Sequence, residues 1–183
     1  MPYIKTVAPS EATGKLKAVY ETSVGPSAAR GKVAMVRQVQ SLNPNALAAW
    51  SALGAEIMHG PSRLTRRQRE MIATAVSATN HCSSCMTAHG EALRDVTHDD
   101  PLVEGLKRDY TQIDLSPADR AMLDYAVKLT VTPSSVNEID IVGLRAHGFD
   151  DRDILDIIYV ICLYNFNDRM ADATGIKAHD FLR

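Results

Sequence analysis

The sequence lacks the features that mark several large classes of protein. No run reaches the roughly 18 apolar residues that a membrane-spanning helix needs. The 20 basic and 22 acidic residues are mixed along the chain and leave a net charge of −2, so no basic surface for nucleic acid or anionic lipid is evident. The N-terminal segment MPYIKTVAPSEATGKL has no apolar stretch of a secretion signal. We therefore expect a soluble, cytoplasmic protein that binds neither nucleic acid nor a membrane.

Cysteine is scarce as well. Three cysteines in 183 residues are an odd number at low density, unlike the even disulfide framework of a small secreted domain. Two of them, Cys82 and Cys85, nevertheless stand three positions apart in the segment NHCSSCMTAH. In a reducing compartment, such a pair needs an explanation other than a structural disulfide.

Strand signals are nearly absent, and we find neither a low-complexity tract nor a clear fixed-period repeat. Helix starts, by contrast, recur, and apolar residues at three- and four-residue spacing follow them. The sequence therefore predicts an all-α fold of about seven to nine helices. Four candidate N-caps precede a proline or a capping-box partner: Asn43 with Pro44, Thr65 with Gln68, Ser116 with Pro117, and Ser135 with Glu138.

The predicted helices form one domain. With 45% hydrophobic residues, the chain can bury one sizeable core, and no connector is long enough to be a domain linker. Within this domain, 1–183, we assign residues 1–40 to an N-terminal arm and first helix, and residues 41–176 to the core that carries the cysteine pair. Helices are expected at 10–23, 44–58, 66–79, 83–95, 99–109, 117–130, 136–146 and 151–172.

The last predicted helix contains a segment, ILDIIYVICLYNF at 154–166, that is apolar at nearly every position. Such a helix must be enclosed by its own fold or by a neighbouring subunit, and both alternatives stay open. Cys162 lies inside the segment, where a lone cysteine is usually an inert apolar residue with a pKa raised by burial. The polar residues at its end are expected to form a structural hydrogen-bond network: Asn165, Asn167 and Arg169.

Cys82, Cys85 and His89 stand at positions i, i+3 and i+7, which share one face of a helix. Turn-favouring residues before Cys82 predict that the pair opens a new helix, where free N–H groups and the helix dipole favour thiolate over thiol. His89 could then accept or relay the proton of Cys85. Glu70 in the preceding helix could orient the imidazole if the two helices pack antiparallel.

Other interpretations of these residues remain open. Zinc accepts Cys82, Cys85, His89 and a carboxylate or His81, but the fourth ligand is unexplained and no second C-x-x-C or H-x-H is present. Two inert buried thiols are a further alternative, although such thiols rarely occur beside both a histidine and a matching glutamate. Redox chemistry is the favoured interpretation, with no metal and no bound cofactor.

Glu70, Cys82, Cys85 and His89, with their spacing, resemble the active-site signature of the AhpD-like alkylhydroperoxidases in the carboxymuconolactone decarboxylase superfamily. The segments LTRRQREMIATAVSATNHC and YNFNDRMADATGI also resemble its peroxidase-related branch, so the similarity covers most of residues 40–176. The resemblance implies an AhpD-like multi-helical bundle that forms a homo-oligomer, a trimer or hexamer.

The resemblance also implies roles for individual residues. Cys85 attacks the peroxide and becomes a sulfenic acid, and Cys82 condenses with it to a disulfide. Glu70 and His89 form the proton relay. Ser84 stands where the well-studied AhpD pattern has a second histidine. The decarboxylase branch lacks the cysteine pair, which disfavours that activity here.

Two functions of different classes follow. The first is an enzyme, a thiol-dependent hydroperoxide reductase of the alkylhydroperoxidase type, whose disulfide is reduced by an external dithiol or protein reductant. The second is a non-catalytic redox sensor or disulfide-exchange module that uses the same cysteines. Repeated turnover with a peroxide and a dithiol distinguishes them, because a sensor would oxidise once and stop.

Overall fold

The structure, a computed structural model, describes residues 2–22 and 32–178. These residues form nine α-helices and no β-strand, which confirms the predicted all-α fold. None of the described helices is long and apolar enough to cross a bilayer. The helices are α1 (Gly14–Glu21), α2 (Met35–Gln38), α3 (Pro44–His59), α4 (Arg66–Thr79), α5 (Ser83–Thr97), α6 (Asp100–Arg108), α7 (Pro117–Val131), α8 (Glu138–Ala146) and α9 (Asp151–Thr174).

Most of these helices begin and end within a few residues of the predicted bounds. The helix expected at 10–23 is shorter at its start, and its last residue lies outside the described residues. Helix α2 was not predicted, because a four-residue helix is too short to show a hydrophobic period.

Three of the four predicted N-caps are present. Thr65 accepts from the Gln68 amide and forms the expected capping box, and Asn43 and Ser116 cap α3 and α7. The fourth prediction, Ser135, is wrong. Its hydroxyl donates to the carbonyl of Thr132 at 2.7 Å within a short 3₁₀ turn, so α8 begins two residues later. Asn137 caps α8, with Asp140 as its capping-box partner.

Helix α4 lies at the centre of the bundle. Every residue from 69 to 77 is buried, and the helix packs against α5, α6, α7 and α9. Its buried apolar side chains, among them Met71, Ile72 and Val76, form the main core with residues of these neighbours. The polar side chain of Glu70 is enclosed in the same place, where a charged residue needs a partner.

Helix α9 is not enclosed on all sides within one chain, which leaves the second alternative, cover by a neighbouring subunit, for its outer face. Its inner face is buried at Ile157, Val160 and Ile161. Its outer face carries an exposed apolar stripe, which comprises Leu155, Tyr159, Cys162 and Phe166. Cys162 is therefore exposed in the single chain, although partial burial still raises its pKa.

Candidate active site

A tight turn between α4 and α5 places the two cysteines. His81 adopts a left-handed backbone conformation with φ of 56°, and its side chain is exposed. Cys82 follows as the N-cap of α5, and its amide donates to the carbonyl of Ser77 at 3.0 Å. Cys85 then lies in the first turn of α5, as the turn-favouring residues predicted. The turn also returns α5 along α4, which brings distant residues of the two helices together.

The two thiols touch in a largely apolar enclosure. Their Sγ atoms are 2.7 Å apart, in hydrogen-bond contact, and both cysteines are free. Cys82 is 0% exposed and Cys85 is 7% exposed. Val39 after α2 and Ala171 on α9 pack against them. Two sulfurs in contact on one helical turn can be joined as a disulfide without unfolding the helix.

The contact between the thiols separates their acidities. The hydrogen bond between the two thiols lowers the pKa of Cys82, against the opposing effect of burial. The same hydrogen bond, together with burial, raises the pKa of Cys85. The first proton to leave the reduced pair therefore comes from Cys82, and Cys85 keeps a proton that a base must remove before its sulfur can attack.

A histidine and a carboxylate lie beside the pair. The Nδ1 atom of His89 is 2.7 Å from Oε2 of Glu70, and the Glu70 side chain is 0% exposed. The other carboxylate oxygen of Glu70 contacts the guanidinium of Arg66, one helical turn earlier. Glu70 is thus held between a cation and the imidazole, an arrangement that orients the ring and leaves its Nε2 atom to exchange protons.

The buried Tyr164 side chain packs against His89 on the side of the protein core. Its ring meets the His89 ring edge-on, with centroids 4.3 Å apart. Burial, and next the negative charge of Glu70, raise the pKa of Tyr164 well above its ordinary value, so the phenol stays neutral. The residue fixes the imidazole by packing, and sequence reasoning did not identify it.

The structure does not join Cys85 to His89 directly. Among the hydrogen bonds of the described residues, the Cys85 sulfur contacts Cys82 and the Ser84 hydroxyl, the latter at 3.9 Å, and none reaches the imidazole. Ser84, which replaces the second histidine of the family pattern, is buried beside both sulfurs. A proton passing from Cys85 to His89 therefore needs a bridging water or substrate oxygen, or a small side-chain movement.

A second carboxylate near the cysteines was missed by sequence reasoning. Asp168 on α9 accepts hydrogen bonds from Ser77 Oγ at 2.9 Å and Asn80 Nδ2 at 2.8 Å. In the sequence, the only indication that Asp168 lies in the interior is its place four residues after Tyr164, which puts both residues on the same face of the helix. The expected polar network at this end of α9 is present in part, because Arg169 donates to Asn165.

Cys82, Cys85 and Asp168 could also offer ligand atoms to a metal ion, since these atoms lie within 4.8 Å of one another. His89 is not in this set, unlike the zinc site considered from the sequence. Two thiolates sharing a tetrahedral zinc lie about 3.7 Å apart, given Zn–S bonds of about 2.3 Å. The observed 2.7 Å between the sulfurs is shorter than that and lies nearer to the roughly 2.05 Å of a disulfide bond, which favours a redox pair over two zinc ligands.

Comparison with known proteins places this site in a family. The model of the carboxymuconolactone decarboxylase family matches residues 44–99, which contain the glutamate, both cysteines and the histidine. A 48-residue segment is 46% identical to an uncharacterized protein of Haemophilus influenzae, and the match spans 42% of that protein.

Two solved structures are similar over most of the chain. An uncharacterized peroxidase-related protein from Silicibacter sp. TM1040 is 39% identical, with a TM-score of 0.78 over 81% of this chain and 78% of that one. An alkylhydroperoxidase AhpD core protein from Ralstonia eutropha JMP134, also described as peroxidase-related, is 29% identical. It has a TM-score of 0.87 over 99% of this chain and 95% of that one. The chain is an AhpD-like helical bundle and belongs to the AhpD and carboxymuconolactone decarboxylase superfamily.

Proposed function

We propose that this protein is a thiol-dependent hydroperoxide reductase that acts in the cytoplasm. The observation that carries the proposal is the contact of the Cys82 and Cys85 sulfurs at 2.7 Å beside a buried His89–Glu70 pair, also at 2.7 Å. A thiol pair supplies two electrons, and the histidine–carboxylate pair moves the protons that peroxide cleavage requires. The relatives described as peroxidase-related support the same chemistry.

Cys85 is the sulfur that attacks. It is the less enclosed of the two, and His89 lies one helical turn beyond it on α5. Because Cys82 loses its proton first, a proton shift across the 2.7 Å contact places the negative charge on Cys85. The Cys85 thiolate then takes the outer peroxide oxygen and becomes a sulfenic acid. The imidazole of His89, which has taken up the proton that Cys82 released, gives that proton to the departing alkoxide, which leaves as an alcohol.

Cys82 completes the cycle. Its sulfur displaces water from the sulfenic acid of Cys85 and forms the disulfide, which an external dithiol or protein reductant reduces through Cys85. The low exposure of both sulfurs favours a small oxidant over a folded protein disulfide. No resident metal or cofactor is required by this sequence of steps.

The experiment is stopped-flow oxidation of the reduced protein by hydrogen peroxide and an alkyl hydroperoxide, with dimedone labelling and mass spectrometry. We expect Cys82→Ser to react once and to carry the label on residue 85. Cys85→Ser should neither consume peroxide nor take up label. Cys162→Ser is the matched control, because that exposed cysteine lies on the outer face of α9.

Label on residue 82 in Cys85→Ser would reverse the two roles. If peroxide oxidises the wild type no faster than a free thiol, the reductase assignment fails. The same cysteine pair then serves the second function, a redox sensor or disulfide-exchange module, which would be oxidised by a disulfide and show no peroxide turnover.

A further inference from the structure

A buried carboxylate that the relay does not use lies beside both cysteines. Asp168 is 1% exposed, and its carboxylate oxygen and the two sulfurs lie within 4.8 Å of one another. One bridging water molecule, or a small rotation of the Asp168 side chain, is enough to connect the carboxylate to either sulfur by hydrogen bonds. No salt bridge of the described residues includes Asp168, and the two side chains that donate hydrogen bonds to it, Ser77 and Asn80, are neutral. Such a buried charge is costly and calls for a function.

The neutral donors are themselves held in place. The Asn80 amide that donates to Asp168 also donates to Oδ1 of Asn165 at 3.2 Å. Asn165 is fixed in turn, because its own amide donates to the Thr130 hydroxyl at 3.0 Å and its Oδ1 accepts from Arg169 at 2.7 Å. Both direct donors to Asp168 thus come from the C-terminal end of α4, and residues of α7 and α9 hold one of them, Asn80, in place.

We propose that Asp168 is the proton shuttle of disulfide formation, which takes the Cys82 proton and delivers it to the hydroxide that leaves Cys85. This inference rests on the proposed function, in which Cys85 carries the sulfenic acid. The Glu70–His89 relay serves the first step at Cys85, and the second step needs a base near Cys82. Asp168 is the carboxylate that the structure provides close to both sulfurs.

The step balances without another reactant. The S–S bond forms as the S–O bond of the Cys85 sulfenic acid breaks. The Cys82 sulfur is oxidised, and the sulfenic sulfur of Cys85 is reduced. The proton that Cys82 loses joins the departing hydroxide through Asp168, and water leaves. When an external dithiol later attacks Cys85 in the disulfide, Asp168 takes the proton that the attacking thiol loses and passes it to the released Cys82 thiolate.

The surroundings of Asp168 suit this exchange. Burial raises the pKa of Asp168, while hydrogen bonds from Asn80 and Ser77 oppose the shift. The titratable groups that face the carboxyl are the two thiols and His89 on α5 and Tyr164 on α9. A carboxyl group with a raised pKa is better matched to a thiol, because both protonation states are accessible during the reaction.

The test uses the full-length Asp168→Asn variant. The substitution is nearly isosteric, and the Ser77 hydroxyl can donate to the new amide or accept from it, so the local network can be kept. Asp172→Asn is the matched control, because it makes the same change one turn further along α9 at an exposed position. Stopped flow with hydrogen peroxide measures sulfenic acid formation, and timed dimedone quenching measures its lifetime.

We expect Asp168→Asn to slow the condensation by about 10²–10⁴-fold and to accumulate sulfenic acid at Cys85, with sulfenic acid formation slowed less than about tenfold. The condensation rate of the wild type should show a carboxyl inflection with pH that the variant lacks. Asp168→Glu should restore part of the rate. A variant that condenses as fast as the wild type would overturn the proposal. If Asp168→Asn slows sulfenic acid formation and condensation equally and also unfolds at a lower temperature, the proposal is overturned and Asp168 has a structural role.

An oxidant other than peroxide tests the role of Asp168 independently of the proposed peroxidase function. With 2-hydroxyethyl disulfide, Cys85 forms a mixed disulfide, and Cys82 must lose its proton to resolve it, so the Asp168 step is measured without peroxide. If peroxide fails to oxidise the wild type but Asp168→Asn resolves the mixed disulfide slowly, the peroxidase assignment fails and the shuttle stands. If resolution is unchanged in Asp168→Asn, the shuttle fails whatever the peroxide result.

Discussion

Glu70 and His89 are 19 positions apart in the chain, yet Oε2 of Glu70 lies 2.7 Å from Nδ1 of His89. The contact exists because the turn at Asn80 and His81 returns α5 along α4. Arg66 contacts the second oxygen of Glu70, so both oxygens of this enclosed carboxylate have a partner. The imidazole is consequently held as the Nδ1–H tautomer, with Nε2 as the atom that exchanges protons.

Loss of either relay residue should slow the first chemical step. We expect Glu70→Gln and His89→Ala each to reduce the rate of sulfenic acid formation by about 10²–10⁴-fold, the usual contribution of a positioned acid or base. Stopped-flow oxidation of the reduced protein measures this rate. Glu91→Gln is the matched control, because it neutralises a surface carboxylate of α5 that pairs with Arg94. Wild-type rates in both relay variants would remove the relay from the mechanism.

Neutralising Asp168 should stabilise the fold at neutral pH. Burial raises the folded pKa of Asp168 above its ordinary 3.8, so its contribution to stability is present below that value and is lost as the pH rises through the folded pKa. At pH 7 we expect Asp168→Asn to unfold at a higher temperature than the wild type, by about 2–4 °C for each kcal/mol of relieved burial cost.

This prediction is checked by measuring how the stability difference between Asp168→Asn and the wild type depends on pH. Calorimetry of both proteins from pH 7 downward should show the difference shrinking as the pH falls through the raised folded pKa and vanishing below 3.8, where the wild-type carboxyl is neutral in both folded and unfolded states. Asp172→Asn should show no such trend. A difference that is constant with pH would mean that the charge of Asp168 is not destabilising.

The exposed stripe on α9 should be covered by a second copy of the chain. Leu155, Tyr159, Cys162 and Phe166 form an apolar face that a soluble monomer rarely exposes, and we expect a homo-oligomer, a trimer or hexamer. Light scattering at micromolar concentration measures the mass, and Tyr159→Lys should reduce it. Ile139→Lys on α8 serves as a control at another exposed apolar position. A wild-type mass near 20.0 kDa would contradict the expectation.

The start of α8 gives a test of stability. Asn137→Ala removes the side chain that accepts from the Ile139 amide, and we expect a loss of about 1 kcal/mol in the free energy of unfolding. Ser135→Ala should cost less than about 0.5 kcal/mol, because its hydroxyl only donates within an exposed turn. Urea denaturation of both variants measures the two values. The reverse ranking would support the N-cap predicted from the sequence.

Local features of this protein could be predicted from the sequence because they depend on neighbours in the chain. The Thr65 capping box sets the start of α4, and the turn residues before Cys82 set the start of α5. Cys82, Cys85 and His89 share a helical face by spacing alone. Ser135 shows the limit of this reasoning, because the 3₁₀ turn that contains it moves the start of α8 two residues on, to the cap Asn137.

The sequence by itself therefore determined the helical class, most helix bounds and the thiol pair at the start of a helix, since hydrogen bonds and side-chain contacts within a few residues decide these. Only the tertiary structure decided what surrounds the thiols. Asp168 stands 83 or more positions beyond both cysteines, and the packing of α9 against α4 and α5 brings it to them. The same packing selects the inner face of α9 and leaves the opposite face exposed, because a helix apolar on every side carries no local signal of which side its neighbours will cover.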